Sequence, residues 1–160
     1  MTNRWVADIE TNGLLDTVDT IHCVVFKRLQ CDEWQIFTPD NMYLLGPWIA
    51  GNVDCAIFHN GWGYDLPALE KVLQIPFSFK KWNGRKVLHL DTLVMSQVSN
   101  PDLEGGHSLE AWGKRIGLHK GDVQKKFDVF TPELLEYCKR DVEITEKLFV
   151  KLMQGFELEV

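Results

Sequence analysis

The chain has 160 residues, of which 45% are hydrophobic and 25% are charged, with a formal net charge of −6. This composition is close to the globular average, so it excludes disordered, collagen-like and coiled-coil proteins, and the length suits a single domain over residues 1–160. Runs of apolar residues stay below the ~18–20 that a membrane span needs, and the N-terminus lacks a signal-peptide pattern, which predicts a cytoplasmic protein without membrane contact. The acidic balance argues mildly against a non-specific nucleic-acid binder.

The first forty residues predict three strands. The first predicted strand ends with residues 4–9. Residues 21–29 are rich in β-branched and aromatic side chains, and residues 33–37 alternate between apolar and polar. Residues 30–32 resemble a short hairpin connection between the last two strands. Neighbouring strands joined in this way are antiparallel, so the three strands are expected to form the antiparallel part of a sheet.

Helices and strands alternate over the middle of the chain. The predicted elements are, in order, a helix at 41–50, a strand at 53–59, a helix at 64–73, a strand at 85–89, a helix at 91–98 and a helix at 108–116. Asp40 is the expected N-cap of the first helix, an acidic residue caps the helix at 91–98, and Gly117 is expected to end the last one.

The C-terminal segment gives the clearest helix pattern, over residues 131–152. Thr131 is the expected N-cap, Pro132 takes the first helical position, and apolar residues recur at helical spacing after them. The element order is therefore β-β-β-α-β-α-β-α-α-α. This order predicts an α/β fold with a mixed five-stranded sheet flanked by helices.

Four carboxylates occupy positions that suit metal binding. Asp8 and Glu10 lie two apart at the end of the first strand, so both side chains point to one face. Asp65 opens a helix, and Asp141 lies inside the C-terminal helix one turn after Tyr137. Each feature alone has an ordinary explanation, such as a solvated strand end or an acid at a helix N-terminus. Together they favour a site for a hard cation such as Mg²⁺ or Mn²⁺.

The four cysteines lack the spacing of a metal site or of a redox pair. They are interpreted as small, mostly buried side chains in a reducing compartment. They are Cys23, Cys31, Cys55 and Cys138.

Three segments resemble the motifs of the DEDD, or DnaQ-like, 3′–5′ exonuclease superfamily: VADIETNGL at 6–14, FHNGWGYDLPAL at 58–69 and YCKRD at 137–141. A tyrosine four residues before Asp141 places the chain in the DEDDy branch, since the DEDDh branch has a histidine at position 136, which is Glu here. The segments LDTLVMS at 90–96, HSLEAWGKRIG at 107–117 and KGDVQKKF at 120–127 further resemble the proofreading domain of phage-type family A DNA polymerases.

The resemblance implies a ribonuclease H-like fold and a reaction with two Mg²⁺ or Mn²⁺ ions. It implies that Asp8, Glu10 and Asp141 are ligands of the ion that activates water, and that Asp8 and Asp65 are ligands of the second ion. Tyr137 is implied to orient the attacking water or to help deprotonate it.

Contacts to the terminal nucleotide are predicted less directly, partly from the resemblance and partly from positions near the site. Leu14 matches a residue that wedges against the last base, although a core leucine is the ordinary alternative. Trp62 could stack on a base, and the six tryptophans are otherwise typical of a core. The candidate substrate contacts are Thr11, Leu14, Asn60, Trp62, Tyr64 and His107.

The expected activity is release of nucleoside 5′-monophosphates from single-stranded or frayed DNA 3′ ends, in the cytoplasm of a bacterium or a phage-infected host. The alternatives are a 3′–5′ exoribonuclease, because the site could act on either backbone, and a non-catalytic binding module. A DNA polymerase is a possible partner. The chain is expected to be either a free-standing exonuclease, which Met1 favours, or an excised polymerase domain.

Overall fold

A computed structural model of the protein describes residues 2–76, 86–119 and 127–157. The strands are β1 (Arg4–Thr11), β2 (Ile21–Arg28), β3 (Trp34–Phe37), β4 (Cys55–Phe58) and β5 (Leu88–Asp91). The helices are α1 (Leu45–Asn52), α2 (Leu66–Leu73), α3 (Thr92–Ser99), α4 (Leu109–Ile116) and α5 (Pro132–Glu157). A 3₁₀ turn at Met42–Leu44 leads into α1, and a π-helical turn at Gly61–Asp65 leads into α2.

The five strands form one mixed sheet in the order β3-β2-β1-β4-β5. β1, β2 and β3 are antiparallel neighbours, whereas β4 and β5 run parallel to β1 on its other side. The predicted element order, the mixed sheet and its antiparallel first half are confirmed. β1 pairs with β4 through Arg4, Trp5 and Val6 and continues to Thr11, which places the Asp8–Glu10 pair toward the carboxyl edge of the parallel half.

Alternation along β1 divides the core into two layers. Trp5, Ala7 and Ile9 pack on one face with residues of α2 such as Leu69. Val6 packs on the opposite face among the buried residues of β2, β4 and α5. Because side chains alternate along a strand, Asp8 and Glu10 share the face of Val6, which α5 covers.

The predicted caps at Asp91, Thr131 and Gly117 are confirmed, and Ser108 is a further N-cap that the sequence analysis did not name. Asp91 accepts from the Leu93 N–H at 2.9 Å, Ser108 accepts from the Ala111 N–H at 3.1 Å, and Thr131 accepts from the Leu134 N–H at 3.1 Å. Gly117 ends α4 in the left-handed region with φ of 81°. These caps satisfy the backbone groups that helix termini leave unpaired.

Three predicted boundaries are wrong. The helix predicted at 41–50 begins with a 3₁₀ turn, and Asp40 is not its cap: Asn41 precedes the turn and its side chain instead accepts from the Thr38 N–H at 2.7 Å. The last strand lies at Leu88–Asp91 rather than 85–89, because its register pairs Leu88 with Cys55 and Asp91 with Phe58. α5 continues five residues beyond the predicted end, to Glu157.

Among the described residues, no helix combines the length and apolar character that crossing a bilayer would require.

Candidate active site

β1 and α5 bring Asp8, Glu10 and Cys138 together. One ligand atom from each of these side chains lies within 4.8 Å of the other two. The Cys138 thiol donates to Asp8 Oδ2 at 3.4 Å, so the contact joins the strand to the helix directly. The predicted convergence of Asp8 and Glu10 on one face is therefore observed, with a thiol beside them.

Asp141 reaches the same cluster from α5. It follows Cys138 by three residues, and such residues share one side of a helix. Its side chain is buried, and its negative charge is close enough to raise the pKa of Asp8. Tyr137, also buried, precedes Asp141 by four residues on the same side of the helix.

Asp65 enters from the start of α2. Backbone groups of Asp65 itself and of Ile9 on β1 partly offset the effect of burial on the pKa of its carboxyl, so the side chain lies close to the central strand. The residue is 4% exposed, and its Oδ2 atom is buried without a hydrogen-bond partner among the described residues. Burying a carboxylate oxygen without a hydrogen-bond partner costs free energy, and a bound cation removes much of that cost.

The electrostatics of the four acids show how close they are. Burial raises the pKa of Asp8 well above its ordinary value, and the charges of Asp141, Asp65 and Glu10 raise it further. Burial likewise raises the pKa of Asp65, with added repulsion from Glu10 and Asp91. Mutual repulsion among desolvated carboxylates is relieved when a divalent cation binds between them. The donor set therefore fits a hard divalent metal ion.

Residues after β1 form the wall of an adjacent pocket of about 350 Å³. The Tyr64 hydroxyl donates to the Gly13 carbonyl at 2.5 Å and contacts the Thr11 hydroxyl. Leu14 projects outward and is 74% exposed, so the ordinary alternative of a core leucine is wrong. The residues lining the pocket are Ile9, Glu10, Thr11, Asn12, Gly13, Leu14, Tyr64 and Phe127.

Asp91 organises the turn that precedes Asp65. Besides capping α3, its carboxylate accepts from the Asn60 N–H at 2.8 Å and from the Trp62 N–H at 3.2 Å. Asn60 adopts a left-handed conformation with φ of 60°, and Trp62 is 44% exposed beside it. Asp91 therefore acts both as a helix cap and as a support for the segment that carries two predicted substrate contacts.

His107 and His59 hydrogen-bond to side chains of α3, whereas His89 Nδ1 is buried without a hydrogen-bond partner among the described residues. His107 bonds to Ser96 at 2.7 Å, and Ser96 also accepts from Trp112 at 2.9 Å, so this candidate substrate contact is part of the α3–α4 packing. His59 bonds to Thr92 at 2.8 Å. Burial lowers the pKa of His89 to about 4, which keeps its ring neutral in the core.

Sequence reasoning missed two features of the site. Cys138 was interpreted only as a core residue, and no spacing rule could reveal that its thiol meets Asp8 across 130 positions of sequence. Phe127 ends the 120–127 loop noted above, whose residues 120–126 lie outside the described ranges. The buried His22 ring bonds to the Phe127 carbonyl at 2.5 Å and so ties this residue beside the pocket.

Most of the chain is similar in sequence to part of two phage DNA polymerases. The chain is 28% identical to the DNA-directed DNA polymerases of Escherichia phage T7 and Enterobacteria phage T3, each over 185 aligned positions that cover 92% of this chain and 26% of the polymerase. It therefore spans about a quarter of the length of these relatives. No family model matches the chain.

Solved structures agree on the fold. NrnC of Brucella melitensis with bound Mg²⁺ superposes with a TM-score of 0.66 at 18% identity, over 99% of this chain and 76% of that one. The catalytic core of RRP6 from Trypanosoma brucei gives a TM-score of 0.65 at 16% identity, over 96% and 41%. The family B DNA polymerase of Pyrobaculum calidifontis gives 0.71 at 16% identity, over 96% and 25%.

The chain fits the DEDD-type 3′–5′ exonuclease superfamily. The predicted ribonuclease H-like fold is confirmed by these superpositions. Its similarity to polymerases and nucleases is consistent with a metal-dependent exonuclease. The acids Asp8, Glu10, Asp65 and Asp141 gather where β1, the start of α2 and α5 meet.

Proposed function

We propose that the chain is a metal-dependent 3′–5′ exonuclease that shortens single-stranded or frayed DNA from the 3′ end and releases nucleoside 5′-monophosphates. The observation that carries the proposal is the convergence of four desolvated carboxylates, in which the charges of Asp141, Asp65 and Glu10 all act on Asp8. Two bound Mg²⁺ or Mn²⁺ ions would supply a nucleophilic hydroxide and stabilise the charge that develops on the phosphate. Asp8, Glu10 and Asp141 would hold one ion, and Asp8 and Asp65 the other.

Tyr137 is proposed to position the attacking water. The Tyr137 ring is buried one helical turn before Asp141. Its hydroxyl is therefore carried by a rigid helix and not by a loop. A hydroxyl on a rigid helix positions the reacting water more accurately than a hydroxyl on a mobile segment, and accurate positioning raises the reaction rate.

The terminal nucleotide is proposed to occupy the 350 Å³ pocket next to the acids. Leu14 would contact the base, and the backbone around Thr11 would be held in place by Tyr64. Asn60 and Trp62 lie on the turn that Asp91 supports, where they can meet the sugar, the phosphate or a neighbouring base. His107 is the remaining proposed substrate contact, on the basis of the sequence resemblance, and its ring is bonded to Ser96 of α3.

DNA is the proposed substrate because the relatives that match in sequence are DNA polymerases. A DNA polymerase is the proposed partner for the same reason, with removal of mispaired ends in trans as the expected role. The four cysteines are free thiols, which supports a reducing cytoplasm as the location.

The test of this function is a ladder assay. 5′-labelled DNA and RNA oligonucleotides are incubated with Mg²⁺ or Mn²⁺, and we expect single-nucleotide shortening of the DNA from its 3′ end. The Asp8→Ala, Glu10→Ala double variant should abolish the ladder. The matched control is Asp102→Ala, Glu104→Ala, an acid pair of the same spacing in an exposed loop, which should leave it intact.

Each other outcome of that assay contradicts part of the proposal. Faster shortening of RNA would identify an exoribonuclease instead. Absence of a ladder on both substrates would indicate a binding module of nuclease fold. A ladder that persists in the Asp8→Ala, Glu10→Ala variant would show that the active site lies elsewhere in the protein.

Leu14→Ala is expected to raise KM for single-stranded DNA about fivefold, while kcat changes less. The side chain is 74% exposed, so truncation removes roughly 1 kcal/mol of apolar contact with the base and little from the fold. Steady-state kinetics and thermal unfolding measure the two effects. Val98→Ala, a 68% exposed residue on α3, is the control. A fall in Tm without a change in KM would contradict the assignment.

A further inference from the structure

We propose that Asp8, Glu10 and Cys138 form a binding site for thiophilic divalent cations, such as Zn²⁺, Cd²⁺ and Co²⁺, and that these ions compete with Mg²⁺ through the shared carboxylates. The site shares Asp8 and Glu10 with the proposed function, but binding of such an ion requires no nucleic acid and no turnover. The two proposals can therefore fail separately.

The geometry suits a three-residue ligand set. The two carboxylates and the thiol lie within 4.8 Å of one another, and the Cys138 thiol already contacts Asp8 Oδ2 at 3.4 Å. Cys138 is fully buried and sits on α5, while Asp8 and Glu10 lie on the central strand, so all three ligands belong to rigid elements. A preorganised ligand set of two oxygens and one sulfur matches Zn²⁺ chemistry, in which three protein ligands leave a position for water.

The sulfur atom is what separates this site from one for Mg²⁺. Mg²⁺ prefers oxygen ligands and binds thiolates poorly, whereas Zn²⁺ and Cd²⁺ bind thiolates strongly. When such an ion binds, the Cys138 S–H bond breaks, its proton passes to the solvent buffer, and the sulfur lone pair forms the bond to the metal.

A second observation points to a cation at this location. Asp65 is 4% exposed, and its Oδ2 is buried without a hydrogen-bond partner among the described residues. The carboxylates of Asp65 and Glu10 are close enough to repel each other, so Asp65 lies beside the ligand set. A cation held by Asp8, Glu10 and Cys138 would lower the cost of burying that oxygen.

The consequence is a change in metal selectivity. An ion bound through Cys138 occupies Asp8 and Glu10, which the proposed reaction needs for Mg²⁺. Low concentrations of a thiophilic ion should therefore displace Mg²⁺, and excess Mg²⁺ should raise the apparent Kd for the thiophilic ion in proportion. The buried Cys23 packs in the same core layer as Cys138 and is an additional thiol close to the site.

The experiment is titration of the metal-free protein with Cd²⁺ and Co²⁺, without nucleic acid, followed by the ultraviolet charge-transfer absorption of a metal–thiolate bond. All proteins carry Cys31→Ser, which removes the exposed thiol. We expect a band that saturates at one ion per chain. Cys138→Ser should remove the band and weaken Cd²⁺ binding about 100-fold, and Asp8→Asn should weaken binding while the band persists at saturation. The matched control Cys55→Ser, another buried thiol, should keep the band and the affinity.

Several outcomes would overturn the proposal. These are the absence of a band in the parent protein, a band that survives in Cys138→Ser, or a Cd²⁺ affinity that excess Mg²⁺ leaves unchanged. Circular dichroism and thermal unfolding of the metal-free variants verify that Cys138→Ser is folded, and Cys138→Ala gives an independent loss of sulfur if serine is poorly tolerated. Retention of the band in both folded variants would assign the sulfur to a different cysteine.

Discussion

Replacing Asp8 with asparagine should lower the exonuclease rate roughly 10³-fold and, in the absence of metal, raise the melting temperature by a few degrees. Both effects come from the same negative charge. Asp8 is a proposed ligand of both metal ions, so its loss removes the preorganised charge that the reaction needs. The same carboxylate is desolvated and repelled by Asp141, Asp65 and Glu10 when no cation is bound.

The sign of the stability effect follows from proton linkage. The pKa of Asp8 in the folded protein is raised above its ordinary value, mainly by burial, so the folded state binds a proton more tightly than the unfolded chain. Stability from this group is present at pH below its ordinary pKa and is lost as pH rises through the raised value. Asparagine cannot ionise, so the gain from Asp8→Asn should be larger at neutral pH and shrink as the solution is acidified.

Thermal unfolding in the presence of a chelator, repeated across pH and then with Mg²⁺, measures these effects. Mg²⁺ should raise the melting temperature of the parent and have much less effect on Asp8→Asn, because binding to the native state stabilises it. Asp102→Asn, the same change at an exposed loop position, should show neither effect. An Asp8→Asn protein that melts lower than the parent without metal would contradict the electrostatic account.

Adding one methyl group at Gly61 should also have a large effect. A Cβ atom built on Gly61 would lie 2.4 Å from Phe58 Cβ, and Phe58 is a fully buried side chain at the end of β4. Gly61→Ala is expected to cost about 2 kcal/mol of folding free energy, because the overpacked turn must shift. That turn leads directly to Asp65, and a displacement near 1 Å of a catalytic group commonly lowers the rate about 100-fold.

Gly51→Ala is the control for this experiment. Gly51 lies in α1, and nothing would lie within 4 Å of an added Cβ atom there. Alanine is the better helix former, so this variant should gain about 0.5 kcal/mol or slightly more. Urea unfolding and the ladder assay compare the two proteins. Equal stability of Gly61→Ala and Gly51→Ala would show that Phe58 can move away without cost.

Local sequence patterns predicted the structure correctly where the structure depends on neighbouring residues. Side-chain alternation put Asp8 and Glu10 on one face, and helix capping rules located Asp91 and Thr131 correctly. The cap expected at Asp40 failed because Asn41 bonds to Thr38 instead, a choice between two neighbouring polar residues that the sequence pattern does not resolve. The strand expected at 85–89 lies a few residues later, since strand ends depend on the register against β4.

By itself, the sequence determined the element order, the mixed sheet and the four acids, because periodicity, capping and motif spacing are all properties of nearby residues. The tertiary structure decided what depends on distant contacts: the exposure of Leu14, the two roles of Asp91 and the meeting of Cys138 with Asp8. The Cys138–Asp8 contact arises when α5 packs on β1, and burial there raises the pKa of both side chains. The acidic balance of −6 would disfavour a nucleic-acid substrate if spread evenly, and the fold instead concentrates part of it where a cation is needed.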